Sequence, residues 1–363
     1  MNPLRFAIIG CGRIAKNHVG PLTELPGAKL VALCDLMPER AKPYAEKHGL
    51  PVYTDYHAML SREQVDVVSI MTPSGMHPVH AIDVMRRYRK HIVMEKPMAL
   101  AWDDLARMEA TAAECRVKIF PVYQNRYNKA VQKVRQGLMS GELGKVALGT
   151  VRLRWCRPQR YYSRDAWRGT WAMDGGALTN QGIHYLDLLQ YLVGDIESVN
   201  ARIGTLLVKV EVEDTAVATV RFKSGALGVI EITTAARPID FEASISVLAE
   251  HGTAILTGIA CNQLSTYTLD ETARAAFSEE FPDAYGFSHW PFYRDLIAEL
   301  QENRPHPISF SEGKRAIRLL NALYRSAEDQ REVRLEEDVT SRNLGRPDPK
   351  LAALYLTPEP VKA

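Results

Sequence analysis

Phe6-Ala7-Ile8-Ile9 runs straight into Gly10-Cys11-Gly12-Arg13-Ile14-Ala15, and a second apolar run, Leu30-Val31-Ala32-Leu33-Cys34, ends on Asp35. In order, these are a strand, a glycine turn, a helix and a second strand with an acid at its tip. Gly10 permits a tight turn, Gly12 has no side chain to keep a pyrophosphate off the backbone, and Ala15 lets the helix pack closely on the sheet. Arg13 and Ile14 stand where the helix starts, so its free N–H groups and dipole face the phosphates. Asp35 can accept hydrogen bonds from a ribose 2′- and 3′-hydroxyl and repels a 2′-phosphate, and no Arg or Lys follows before Arg40. The pattern predicts a bound dinucleotide, NAD rather than NADP.

Working outward, strand and helix keep alternating through the first third of the chain. Helices are expected at 38–48, 57–60 and 102–114, and from Pro78 onward, where Pro occupies a favoured first helical position. Strands are expected at 52–53, 65–71, 91–94 and 118–122, the second of these being a near-continuous apolar run of the kind found in parallel strands covered on both faces. This alternation implies a doubly wound parallel sheet, an NAD-binding Rossmann domain over residues 1–123. From about Lys145 longer strands dominate, at 146–155, 199–208, 215–222, 226–234, 243–249 and 252–256, with a tight hairpin at Lys223-Ser224-Gly225. Residues 124–363 are therefore expected to form an α+β substrate domain with a large open, mostly antiparallel sheet. Helices at 182–192, 290–302 and 311–328 suffice to cover one face. The segments 215–220 and 225–230 are apolar on both faces, so a homo-oligomer joined through the open face is expected. The last residues, 332–363, read as a tail on the surface or on a neighbour.

The 363 residues allow two domains with real cores, and 46% hydrophobic with 24% charged residues is ordinary for a globular protein. A net charge of +2 argues against a nucleic-acid partner. Cys11, Cys34, Cys115, Cys156 and Cys261 show no metal-ligand spacing and read as thiols in a reducing compartment. With no membrane-spanning run and a strand starting almost at once, no membrane partner and a cytoplasmic location are expected.

Three further segments carry candidate chemistry. Thr72-Pro73-Ser74-Gly75-Met76-His77 follows a parallel strand, beyond whose carboxyl end ligands bind; Thr72 can reach a nicotinamide carboxamide, and His77 belongs to the same cofactor loop. Glu95-Lys96-Pro97 ends the next strand. Lys96 there can hold a substrate hydroxyl and stabilise alkoxide charge, with Glu95 orienting it or contacting the cofactor ribose. The third runs from Asp174 to Asp187 and is expected to continue as one helix, with Asn180, His184 and Asp187 on a single face. His184 can take a proton from an alcohol as hydride leaves the same carbon. A metal reading needs a third ligand, and His18, His77 and His80 offer no convincing one, so no metal is expected.

A GxGxxA turn with a later Asp, a TPxxxH loop, an EKP tripeptide and a GGxLxxxGxHxxD segment, in this order, resemble the Gfo/Idh/MocA family of NAD(P)-dependent sugar and inositol dehydrogenases. The resemblance implies a Rossmann domain followed by an open-sheet domain, usually assembled through that sheet, often as a tetramer. It also places Lys96 and His184 at the family's catalytic Lys and His. Many members carry an acid four residues before the His; Asn180 stands there instead. An amide can hold a hydroxyl but relays no proton, so the base is assigned to His184, with Lys96 assisting.

Between the last Rossmann elements and the His184 helix, residues 152–171 hold six arginines and five aromatics. Arg forks suit carboxylate and phosphate, and aromatic faces suit sugars or bases. Arg160, Tyr161, Arg164, Trp167 and Arg168, with Lys96, Asn180 and His184, are therefore expected to bind an anionic substrate larger than a free sugar. With WRGTW and DGGALTNQGIHYLDLL, the chain resembles the branch of UDP-N-acetylglucosaminuronate 3-dehydrogenases most. That resemblance implies a UDP-sugar substrate oxidised at C3 on the way to bacterial surface polysaccharides. The alternatives are an inositol or free-sugar dehydrogenase, and a non-catalytic NAD and sugar sensor.

Overall fold

Strands β1 (Leu4–Ile9), β2 (Ala28–Cys34), β3 (Val52–Tyr53), β4 (Val67–Ile70), β5 (His91–Met94) and β6 (Ile119–Pro121) pair in parallel, in the order β3-β2-β1-β4-β5-β6. The computed structural model describes residues 2–357. All four residues of β4 are buried, as a parallel strand covered by helices on both faces requires. The strand order reverses between β1 and β4, and the carboxyl ends of β1, β4 and β5 open on one crevice, the switch point where doubly wound sheets bind ligands. Gly10, Thr72 and Glu95 follow those three strand ends.

A second sheet is built from β7 (Val146–Arg154), β8 (Ile196–Gly204), β9 (Thr215–Phe222), β10 (Leu227–Thr233), β11 (Glu242–Ala249), β12 (Thr253–Thr257), β13 (Gln263–Tyr267) and β14 (Val333–Arg334), in the order β13-β12-β11-β7-β10-β9-β8-β14. The β7–β10 pair is parallel and the other pairs are antiparallel. Gly225, at φ +88°, makes the β9–β10 hairpin. Sequence patterning missed β13 because its residues are mostly polar, only Leu264 and Tyr267 being buried.

Helices Ile183–Val193 and Phe310–Asp329 cover the inner face, the latter against β8 and started by the Ser309 side chain, which accepts from Glu312 N–H. Helix His289–Glu302, expected to cover the same sheet, instead packs on helix Ala15–Glu24. There Phe292, Tyr293 and Leu296 join Phe6, Ile8, Val19 and Leu22 in one core. The outer face is not uniformly apolar: Val217, Leu227, Val229 and Leu248 are exposed beside a charged band in which Arg154 meets Glu231 at 2.5 Å and Arg152 meets Glu242 at 3.3 Å. Among the described residues no helix is long and apolar enough to cross a membrane.

Candidate active site

At the turn after β1, Gly10 has φ +96°, and a Cβ there would lie 2.6 Å from the Met71 carbonyl oxygen, so only glycine fits. At Gly12 a Cβ would meet nothing within 4 Å: the backbone is bare and opens on the crevice. The Asp35 carboxylate accepts Cys11 N–H at 2.7 Å and Met37 N–H at 2.9 Å, which ties the tip of β2 to the glycine turn. A bare turn, the start of a helix and a fixed carboxylate fit the pyrophosphate and adenosine ribose of NAD. Gly12→Val should therefore fold normally and lose NAD affinity by at least about tenfold, roughly 1.4 kcal/mol. Calorimetric titration measures this, and unchanged affinity contradicts the placement.

From this turn a cavity of about 670 Å³ runs past Thr72, His77, Glu95 and Lys96 to a far wall that includes Tyr161, Arg164, Trp167, Arg168 and Asn180. Thr72 Oγ1 lies 3.0 Å from His80 Nδ1. His77 is buried, and its ring nitrogens face the carbonyls of Pro97 at 2.7 Å and Thr72 at 2.9 Å. The neutral ring has one N–H to donate to one of these carbonyls, and from between them His77 braces the loop after β4 against Pro97. Burial lowers its pKa, and that of His80 to about 4.

Glu95 lines the cavity and is itself buried, hydrogen-bonded to His18 Nε2 at 2.9 Å and accepting Lys96 N–H at 3.1 Å. His18 continues to Tyr293 Oη at 2.7 Å, and Tyr293 to Ser69 Oγ at 3.0 Å. Burial opposes ionisation of Glu95, but the hydrogen bond from His18 and the His289 ring, whose Nε2 lies 3.7 Å away, outweigh it and hold the carboxyl well below its usual range. Sequence reasoning missed this cluster, because His18, Glu95 and His289 are far apart in the chain. Its three potential ligand atoms lie within 4.8 Å of one another, and the His18–Glu95 hydrogen bond already occupies two of them.

Lys96 Nζ donates to the Asn180 carbonyl oxygen at 2.9 Å. Burial lowers the Lys96 pKa against the opposing pull of Glu95 and Asp174. Asn180 Nδ2 donates in turn to Asp174 Oδ1. The single helix expected here is broken into Ala177–Asn180 and Ile183–Val193, so the face of Asn180, His184 and Asp187 does not form as drawn. Asp187 turns away and makes a buried fork with Arg126 at 2.6 and 2.8 Å. His184 is half-buried and is not among the side chains lining the cavity, although it lies within reach of the charges of Lys96, Glu95 and His289. Burial first, and then Lys96, push its pKa down to about 3, and its Nδ1 is buried without a hydrogen-bond partner.

In the segment 157–171, Arg168 donates to Tyr161 Oη at 2.7 Å and to Asp165 at 3.1 Å, and stacks over the Tyr161 and Trp167 rings at 4.6 and 4.4 Å. Arg164 reaches the cavity, whereas Arg160, expected beside it, is exposed and lies off the cavity wall. The helical turn Gln159–Tyr162 buries Tyr162 and half-buries Tyr161, which leaves Gln159 and Arg160 on its solvent side. Arg40 meets Asp165 at 3.4 Å and links this segment to the first sheet's domain. Tyr285, Leu354, Tyr355 and Thr357 also line the cavity. The end of the tail was expected on the surface or a neighbour, and nothing in its local pattern marks a return to the crevice.

A crevice whose lining fits a dinucleotide, beside a half-buried Lys, defines an NAD-binding oxidoreductase. Residues 4–123 match the model of the oxidoreductase family with an NAD-binding Rossmann fold, and residues 131–255 match the GFO/IDH/MocA C-terminal domain. The chain belongs to the Gfo/Idh/MocA family of oxidoreductases. It is similar to the WlbA dehydrogenase of Bordetella pertussis, solved with NADH and UDP-GlcNAcA, at 38% identity and a TM-score of 0.85, covering 93% of this chain and 99% of that one. It is also similar to the WlbA dehydrogenase of Chromobacterium violaceum with the same two ligands, at 36% identity and a TM-score of 0.83, covering 92% and 96%. A curated relative, myo-inositol 2-dehydrogenase of Thermotoga maritima, is 28% identical over 92% of this chain and 99% of its own length.

Proposed function

We propose that the protein oxidises the C3 hydroxyl of a UDP-N-acetylhexosaminuronic acid, UDP-N-acetylglucosaminuronate, to the 3-keto sugar, a step in making bacterial surface-polysaccharide sugars. The observation that carries this reading is a single cavity joining the Gly12 and Asp35 end, through Lys96, to a wall of Tyr161, Arg164, Trp167 and Arg168. An inositol needs no such cationic wall; a sugar bearing a carboxylate and a diphosphate does. The relatives support the same choice, since the two solved with UDP-GlcNAcA are 36–38% identical and the inositol dehydrogenase 28%.

Bound NAD+ supplies the acceptor for the C3 hydride. The glycine turn and Asp35 hold it, with Thr72 toward its nicotinamide end. Lys96, anchored on Asn180, donates to the reacting oxygen and stabilises its growing negative charge. His184, neutral at working pH, accepts the hydroxyl proton. Arg164 and Arg168 balance the substrate's negative charge, and Tyr161 and Trp167 give it flat surfaces to stack on.

The test is NADH formation from NAD+ with UDP-N-acetylglucosaminuronate, UDP-N-acetylglucosamine, myo-inositol and free sugars, each with and without a 2-keto acid to recycle bound NADH. Turnover of the uronate alone supports the reading. Turnover of inositol and of no UDP-sugar overturns it, and NAD binding without any turnover favours a sensor. Assembly through the outer face of the second sheet, as a tetramer, belongs to the same proposal. Light scattering on the purified protein checks it, and a monomer contradicts it.

A further inference from the structure

Asp174 is wholly buried at the back of the cavity and grips two groups. Its Oδ2 accepts Gly169 N–H at 2.8 Å, and its Oδ1 accepts the Asn180 side-chain nitrogen. Asn180 lines the cavity and carries Lys96 on its backbone carbonyl. An ionised carboxylate only accepts hydrogen bonds, so the amide must present its nitrogen to Asp174. The Asn180 oxygen is then the end left for a ligand. We propose that Asp174 is a positioning residue that fixes the Asn180 amide with its oxygen toward the substrate, as an acceptor for a sugar hydroxyl. This rests on the reading of the cavity as a dehydrogenase site.

The Gly169 N–H makes the arrangement directional. In Asp174→Asn, Gly169 still demands an oxygen, so the new amide nitrogen replaces Oδ1 opposite Asn180. Asn180 must then flip, give its oxygen to residue 174 and turn its NH₂ into the cavity. An acceptor becomes a donor with almost no change in shape.

The charged and titratable groups around Asp174 are Lys96, Arg168, Tyr161, Tyr162 and Glu213. Burial raises the Asp174 carboxyl to about 6, against the pull of Gly169 N–H, the Asn180 amide, Arg168 and Lys96. As pH falls through that value the carboxylate is lost and the amide is released, so kcat should fall on the acid side. Glu213, raised by burial to about 7, is engaged by Leu178 N–H and Tyr324 and stays in the variant. A limb that belongs to Glu213 therefore survives Asp174→Asn, and one that belongs to Asp174 disappears.

The experiment compares wild type, Asp174→Asn and the exchange variant Asp174→Asn/Asn180→Asp, using whichever substrate the panel above identifies. Asp174→Asn is expected to lower kcat about tenfold to a hundredfold, with NAD+ affinity and melting temperature little changed and the acid limb gone. The exchange variant restores an oxygen to the cavity side and should recover much of the loss. Normal kcat with an unchanged acid limb in Asp174→Asn, or no recovery in the exchange variant, overturns the inference. Joint X-ray and neutron structures read the Asn180 amide without any turnover. Nitrogen toward Asp174 in the wild type and toward the cavity in Asp174→Asn is the expected result. The same orientation in both refutes it, even where the wild type turns over every sugar in the panel. A wild type that turns over nothing refutes the dehydrogenase reading alone, since the amide orientation is still measured.

Discussion

Lys96→Met is expected to lower kcat about a thousandfold, roughly 4 kcal/mol of transition-state stabilisation, while NAD+ binding stays within a few-fold of wild type. Met keeps the length and apolar stem of the side chain and removes the charge and its hydrogen bonds. Lys96 sits between the cofactor end of the cavity and its cationic wall, with Nζ aimed by the Asn180 carbonyl at 2.9 Å. Burial has already lowered its pKa, so the ammonium is poorly solvated and gains most when a neighbouring oxygen becomes negative. Single-turnover NADH formation and calorimetric NAD+ binding together check this. Activity within tenfold of wild type would show that the developing charge is met elsewhere.

His184→Asn is expected to cost less, about a hundredfold in kcat. A general base works best with a pKa near the working pH, and burial together with Lys96 holds His184 at about 3. The imidazole is therefore neutral throughout the physiological range, its unpartnered Nδ1 is buried behind the cavity wall, and the driving force for taking a proton is small. The sign follows: protonation of His184 alone produces no loss of activity until the pH falls toward 3, so an acid limb near pH 6 has another source. Steady-state pH profiles of both variants separate the roles. A larger loss at His184 than at Lys96 would reverse the assignment, and unchanged kcat at His184 would reduce it to packing.

How far the site was legible depended on how local its determinants are. Gly10, Gly12 and Asp35 were readable because turn geometry and a strand-tip acid are properties of a few adjacent residues. Lys96 was readable for the same reason, a charge placed between a buried strand and Pro97. Asp174 was not, because its role depends on Gly169 N–H and the Asn180 amide meeting it in space. The expected helical face through Asn180, His184 and Asp187 failed at the break after Asn180, and Asp187 went to Arg126, which lies 61 residues away in the chain. Arg160 was grouped with Tyr161 and Arg168 by composition, yet composition carries no direction, and the side chain turned outward.

The sequence by itself determined the doubly wound first sheet, its dinucleotide turn and the position of Lys96, since strand periodicity, glycine geometry and burial patterning act over short spans of chain. Only the tertiary structure decided which side of each side chain faces the cavity. It returned helix His289–Glu302 to the first sheet's core, put His289 beside Glu95, closed the crevice with Tyr355 and Thr357, and set Asp174 behind Asn180. Those arrangements arise from packing and from the need to pair buried polar groups across distant segments, and neither is written in any local run of residues.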